Sequence, residues 1–381
     1  MGWRRSCVAV LALLIVGAPA CSPPDDPGAA PAVRLGGSKR TDAPYLEVTG
    51  LGRDAVRALA KARFTPTQWA ELLQVSTGPD EPPVAGAYSV AGGAVRFTPA
   101  YPFDRGLPYR VRLDRARLPG SPAAPLAPLV FTFERPAPAT PPSTEVAAVY
   151  PTAAVVPENL RRLYVQFSAP MSLRYGARNL QLLDGRGRGP PQPLPPLESA
   201  FWNPARTRFT LVFDRTRGKD PRMGRPLQTG RSYTLVIGPD WRDANGLPLR
   251  QPYRRAFQVG EAQLQPLDPK AWRITAPPAG GREPLIVSFP GPLDQDLMSS
   301  ALGVQDRGAP VEGEAVVAPG EMEWRFIPLD PWRAGDYALV AQPILEDVAG
   351  AQVARAAGID TSSDPKGAAP GTATLAFKVA R

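Results

Sequence analysis

The chain has 381 residues, of which 43% are hydrophobic and 49 are proline, which suits two to four globular domains rich in short strands and turns rather than a helical bundle. It carries a formal charge of +9, with 38 arginines against 6 lysines, and no histidine. The missing histidine excludes His-dependent general bases, Ser-His-Asp and Cys-His nucleophiles and the common zinc and iron sites, and both cysteines, Cys7 and Cys21, sit at the N-terminal extreme, so the body has neither disulfide nor thiol nucleophile.

Residues 1–21, "MGWRRSCVAVLALLIVGAPAC", place Arg4 and Arg5 before an apolar run and then small residues, the pattern of a secretory signal peptide too short for a stable membrane span. Removing it leaves a chain nearer +7. Ala18-Pro19-Ala20 fits ordinary signal peptidase, and directly before Cys21 it also resembles a bacterial lipobox, with Cys21 as the lipidated first residue. Residues 22–43 form a Pro/Gly/Ala stretch without a burial pattern and read as a disordered tether. Several acyl chains would hold such a protein to a membrane, because each buried methylene contributes about 0.8 kcal/mol.

Three units follow, predicted over residues 44–135, 145–261 and 262–381, with a proline-rich linker at 136–144. Each contains the same turn: "PFDRGLPY" (102–109), "PLQTGRSY" (226–233) and "PWRAGDY" (331–337). A Phe-centred strand precedes it, around Phe97, Phe209 and Phe326; one strand follows the Tyr and another closes the unit. Period-two alternation between turns marks half-buried antiparallel strands. Phe103, Leu227 or Trp332 can cap the open end of a sandwich, Gly can supply a positive φ or a close approach, and Tyr can bury its ring while its hydroxyl reaches backbone. A short helical excursion is expected early in each unit, longest in the first, where Thr65-Pro66-Thr67-Gln68 spells a capping box with Pro at the first helical position. The expected fold is all-β: three tandem immunoglobulin-like β-sandwich domains, each with a short helical insert.

Phe167-Ser168-Ala169-Pro170-Met171 and the later Asp243-Ala244-Asn245-Gly246 resemble the bacterial Ig-like domains of the S-layer-protein (SbsA) type, best over residues 145–261. The third unit keeps Asp347-Val348-Ala349-Gly350 but has Phe289-Pro290-Gly291-Pro292-Leu293 in place of the first signature, and the first unit shows neither. The resemblance implies an envelope lipoprotein with tandem Ig-like repeats, and no catalytic residues.

The second unit carries an insertion before its tyrosine, in which Arg215, Arg217, Lys219, Arg222 and Arg225 crowd one loop. Such a loop is either solvated and partly neutralised by Asp214 and Asp220, or a site for phosphate or carboxylate groups of an anionic envelope polymer. Without interleaved aromatics it does not suit nucleic acid. Asp243, Asn245 and Gly246 read as an Asx turn rather than a calcium loop, because no periodic acidic residues follow; Asp360 and Asp364 lie in a Pro/Gly/Ser-rich stretch. Asp294 and Asp296 stand at a helix start, where carboxylates serve the dipole. Neither a metal site nor a cofactor is expected. These readings point to a non-enzymatic cell-envelope lipoprotein, a scaffold, adhesin or binding module whose partners are the membrane, through Cys21, and an anionic polymer or another envelope protein. The alternative is a carbohydrate-binding or carbohydrate-processing surface protein, periplasmic or secreted, with Trp202, Trp241, Trp272 and Trp332 as a sugar-stacking platform.

Overall fold

A computed structural model describes residues 30–37, 44–121, 126–173, 179–189, 201–213, 227–353 and 371–381. The 1–21 leader with Cys21, the five cations from Arg215 to Arg225, and Asp360 and Asp364 lie outside the described residues. One compact unit runs to Phe103 and resumes over Leu107–Arg135; a second takes Asp104–Gly106 together with Pro136–Arg381.

The first unit contains β1 (Ala32–Gly36), β2 (Tyr45–Thr49), α1 (Arg53–Lys61), α2 (Pro66–Leu72), β3 (Leu73–Ser76), β4 (Gly86–Ala91), β5 (Ala94–Pro99), β6 (Pro108–Leu113) and β7 (Leu129–Glu134). Its sheets run β1-β2-β5-β4 and β3-β6-β7. The capping box of α2 forms: Gln68 N donates to Thr65 Oγ1 at 3.3 Å and Thr65 N donates to Gln68 Oε1 at 2.9 Å. The expected tether is shorter than 22–43, because Ala32–Gly36 pairs with β2 from Ala32↔Thr49 to Gly36↔Tyr45. An edge strand needs only backbone hydrogen bonds and leaves Leu35 44% exposed, so no burial pattern announces it.

The second unit holds two sandwiches. The earlier one has β8 (Val146–Tyr150), β9 (Val155–Pro157), β10 (Arg162–Phe167), β11 (Leu180–Asp184), β12 (Arg208–Val212), β13 (Ser232–Ile237) and β14 (Tyr253–Gly260), in sheets β12-β10-β8 and β11-β13-β14-β9. The later one has β15 (Arg273–Thr275), β16 (Leu285–Ser288), α3 (Gln295–Ala301), β17 (Leu302–Asp306), β18 (Ala309–Pro310), β19 (Gly313–Val317), β20 (Glu323–Pro328), β21 (Gly335–Ala341) and β22 (Ala373–Val379), in sheets β15-β16-β20-β19 and β18-β17-β21-β22. Each encloses its own core, one around Phe167, Phe209 and Trp241, the other around Trp324, Phe326 and Trp332. The protein is all-β, built of immunoglobulin-like sandwiches. The helical insert is present in the first and third; residues 174–178 of the second lie outside the described residues.

The repeated turn sets one register three times. Tyr109 pairs with Phe133, Tyr233 with Phe257 and Tyr337 with Phe377, and the rings stack with centroids 5.2, 6.0 and 5.6 Å apart. Phe103, Leu227 and Trp332 are all buried. Tyr337 Oη donates to Arg333 O and accepts from Arg333 N, and Tyr233 likewise meets the backbone of Gln228. Gly106 and Gly230 take φ of 64° and 78°, as a tight turn requires. Gly335 has no such role: with one residue fewer before its tyrosine it already belongs to β21, paired with Val379.

The pairing also corrects the Phe-based alignment. The buried leucine of the central strand, Leu46, Leu163 or Leu285, lies opposite Phe97, Leu211 and Phe326, whereas Phe209 lies opposite Val165 and matches Val95 and Trp324. Two same-face positions of a strand share one sequence pattern, so aligning on Phe slips by two residues.

Candidate functional site: the joint between the second and third sandwiches

Strand β10 shows period two: Leu163, Val165 and Phe167 face the core, which turns Arg162 and Tyr164 to the outside of the sheet. Tyr164 is nevertheless only 5% exposed, because the start of α3 covers it. Its hydroxyl lies 2.9 and 2.7 Å from the two oxygens of Asp294, the residue that caps α3 by accepting from Asp296 N and Leu297 N. Arg208, next in the sheet, lays its guanidinium over the Tyr164 ring at 5.3 Å and pairs with Asp296.

Arg162 is the hub. Its Nη1 donates to Asp294 Oδ2 at 3.1 Å and to Glu346 Oε2 at 2.9 Å, while Arg161 Nη1 donates to Glu346 Oε1 at 2.7 Å. Both carboxylates are nearly buried. Burial works to lower the Arg162 pKa, but Tyr164, Glu346 and Asp294 outweigh it and hold the guanidinium above its ordinary value. Burial, reinforced by Asp294, pushes the Tyr164 phenol well up, so it stays a neutral donor. Desolvated pairs of this kind contribute little net stability, yet removing one partner leaves a charge in a dry site, so the network fixes geometry more than it adds energy.

Backbone contacts complete the seam. Arg161 N donates to Val348 O at 2.9 Å, and Val348 packs into the core of the second sandwich. The Asn159 side chain exchanges two hydrogen bonds with the Gln263 backbone, at 2.7 and 2.9 Å. At the other margin the Glu321 carboxylate accepts from Thr152 N and from Thr152 Oγ1, with Gly320 N donating back to that hydroxyl.

Asp243 and Asp347 hold the same Asx turn in successive sandwiches. Asp243 Oδ1 accepts from Asn245 N and Leu247 N; Asp347 Oδ1 accepts from Ala349 N and Ala351 N; Gly246 and Gly350 follow at φ 78° and 87°. Burial raises the Asp347 carboxyl to about 6 against the backbone donors that pull it down. Beside it lies a groove of about 530 Å³ between residues 262–268 and the Pro290-Gly291-Pro292 turn, lined also by Trp272, Leu293 and Asp347.

Asp294 and Asp296 thus serve the joint and the helix start, engaged by Arg162, Tyr164 and Arg208 rather than facing each other across a cleft. Trp202, Trp241, Trp272 and Trp332 are 8%, 0%, 6% and 3% exposed, so they form no stacking platform. Their rings fill sandwich interiors, with Trp202 and Trp241 edge to face at 5.7 Å. Sequence reasoning missed Arg161, Arg162, Tyr164, Glu321 and Glu346; the one available signal was an Arg and a Tyr at the outward positions of a strand otherwise alternating cleanly. Among the described residues no helix is long and apolar enough to cross a membrane, and no three acidic or sulfur ligands cluster as a metal site would need.

No protein-family model matches the chain, and no curated protein matches it. Among solved structures it is similar to native Escherichia coli alpha-2-macroglobulin spanning domains MG0-NIE-MG1, at 12% identity over 62% of this chain and 71% of that one, TM-score 0.22. It is also similar to extracellular domains 3–5 of Drosophila OTK, at 8% identity over 81% and 84%, TM-score 0.17. A third likeness is to domains 4–9 of the surface layer protein SbsC, at 9% identity over 83% and 40%, TM-score 0.19. At such TM-scores these likenesses carry no argument, and the immunoglobulin-like assignment rests on the strand order and pairing themselves.

Proposed function

We propose that this is an exported, lipid-anchored cell-envelope protein of the S-layer-type Ig-like class, acting without catalysis as a scaffold, adhesin or binding module. The observation that carries the reading is the Arg162 network, which seats the third sandwich on the outer face of β10 within one compact unit and supports a stiff pair of sandwiches rather than beads on a string. Stiff tandem sandwiches hold a binding surface away from an anchor, and Cys21 followed by a proline-rich segment supplies the anchor and tether. The cation-rich loop from Arg215 to Arg225 is the surface for an anionic envelope polymer or a second envelope protein. Burial of the four tryptophans removes the support for the carbohydrate-stacking alternative.

The test is the intact mass of the membrane-extracted protein beside a Cys21→Ala variant. A chain starting at Cys21 with diacyl or triacyl mass, lost in the variant, is the expected result. An unmodified mass in both would overturn the anchor and leave a soluble exported binding protein.

A further inference from the structure

The turn before the strand that faces β2, β10 or β16 holds a left-handed residue at one shared position in each sandwich, with a second left-handed glycine beside it in the first (Gly93) and the third (Gly320). The pairing register places the shared position three residues before Val95, Phe209 and Trp324, which makes it Gly92, Arg206 and Glu321, at φ 58°, 57° and 54°. Backbone bonding repeats as well: Arg206 N donates to Asn203 O and Arg206 O accepts from Met171 N, while Glu321 N donates to Ala318 O and Glu321 O accepts from Leu293 N. Glycine meets the backbone requirement at no steric cost, as the first sandwich shows, whereas a long side chain in this region carries a backbone cost that its contacts can offset.

Both long side chains are buried, and each grips chain that precedes its own sandwich. Arg206, 7% exposed, donates to Asp104 Oδ1 at 2.8 Å, within the unit that contains both. Glu321, 0% exposed, receives the Thr152 amide at 2.8 Å and the Thr152 hydroxyl at 2.8 Å, with Ala153 N as a further donor. Behind the same 152–153 segment Arg255 donates to Val149 O and Ala153 O, so the carboxylate and guanidinium sandwich one stretch of backbone.

We infer that this turn position is a docking address: the side chain placed there selects which preceding segment seats against the sandwich, a guanidinium selecting a carboxylate and a carboxylate selecting a turn that presents N–H and hydroxyl donors. The two long side chains at the address carry opposite charge, so their seats are not interchangeable. The inference stands on the joint geometry and is independent of the lipid anchor.

Hydrogen exchange on the full chain tests it with Glu321→Gly, which keeps the φ but removes the side chain, and with Glu321→Gln, which keeps its shape. In the glycine variant the Thr152 and Ala153 amides are expected to exchange at least tenfold faster while β21 and β22 stay as protected as before; the glutamine variant falls between. Unchanged exchange at Thr152 and Ala153 would overturn the inference. So would an equal rise throughout the third sandwich, which would make Glu321 a general stabiliser rather than an address.

Discussion

Arg162 and Glu346, 184 residues apart in sequence, meet at 2.9 Å across the joint of the second unit, and the guanidinium is at once shared with Asp294. Removing it takes a cationic partner from two carboxylates that are 9% and 5% exposed, leaving Glu346 with Arg161 and Asp294 with the Tyr164 hydroxyl and its cap amides. Arg162→Ala is therefore expected to cost about 2–4 kcal/mol, the lower end reflecting the partial exposure of the arginine. Urea unfolding measures it, and the loss should fall on the transition that contains the second and third sandwiches.

Tyr164→Phe removes only the hydroxyl that Asp294 accepts, leaving the ring under Arg208. A hydrogen bond to a buried carboxylate is worth about 1.5–3 kcal/mol. A loss in that range, seen in the same unfolding experiment and not additive with Arg162→Ala, is expected because both residues serve the same carboxylate. Simple additivity would mean that the two act separately.

Asp347 provides a pH dependence with a definite sign. Its folded pKa, about 6, lies above the ordinary 3.8, so the folded protein keeps a proton that the unfolded chain has lost. Its contribution to stability is therefore fully present below about pH 4, falls as pH rises toward 6, and is lost above that. Asp347→Asn keeps an oxygen for Ala349 N and Ala351 N and should remove this slope, which is on the order of 2–3 kcal/mol in full. Urea midpoints between pH 4 and 7.5, compared between the two proteins, check it.

Tryptophan fluorescence reports on the sugar-stacking alternative. Among the described tryptophans only Trp69 is not buried, stacking on Tyr88 at 5.6 Å. Iodide should quench a small fraction of the emission, and Trp69→Phe should abolish that fraction. Strong quenching that survives the Trp69 change would bring the other indoles back to the surface.

Much of the architecture was legible because it rests on local rules. Alternation marked strands such as β13 and β21, Gly106 and Gly230 marked their turns, and the Asp243 and Asp347 turns follow from Asx chemistry within four residues. Even there, period-two patterns let Phe209 stand where Leu211 belongs, because a strand looks alike every second residue.

What only the tertiary structure decided is what covers the outward faces. From the sequence alone Arg162 and Tyr164 are ordinary solvent-facing positions, Glu321 is one more acidic residue in a hairpin and Trp241 could as well lie in a platform. Whether an outward side chain meets water, a second sandwich or a ligand depends on which surfaces the chain brings together over more than a hundred residues. Length, alternation and turn chemistry determined that this protein is built of successive sandwiches; the desolvation of Arg162, Tyr164, Asp294 and Glu321 at one seam determined that two of them pack as one compact unit.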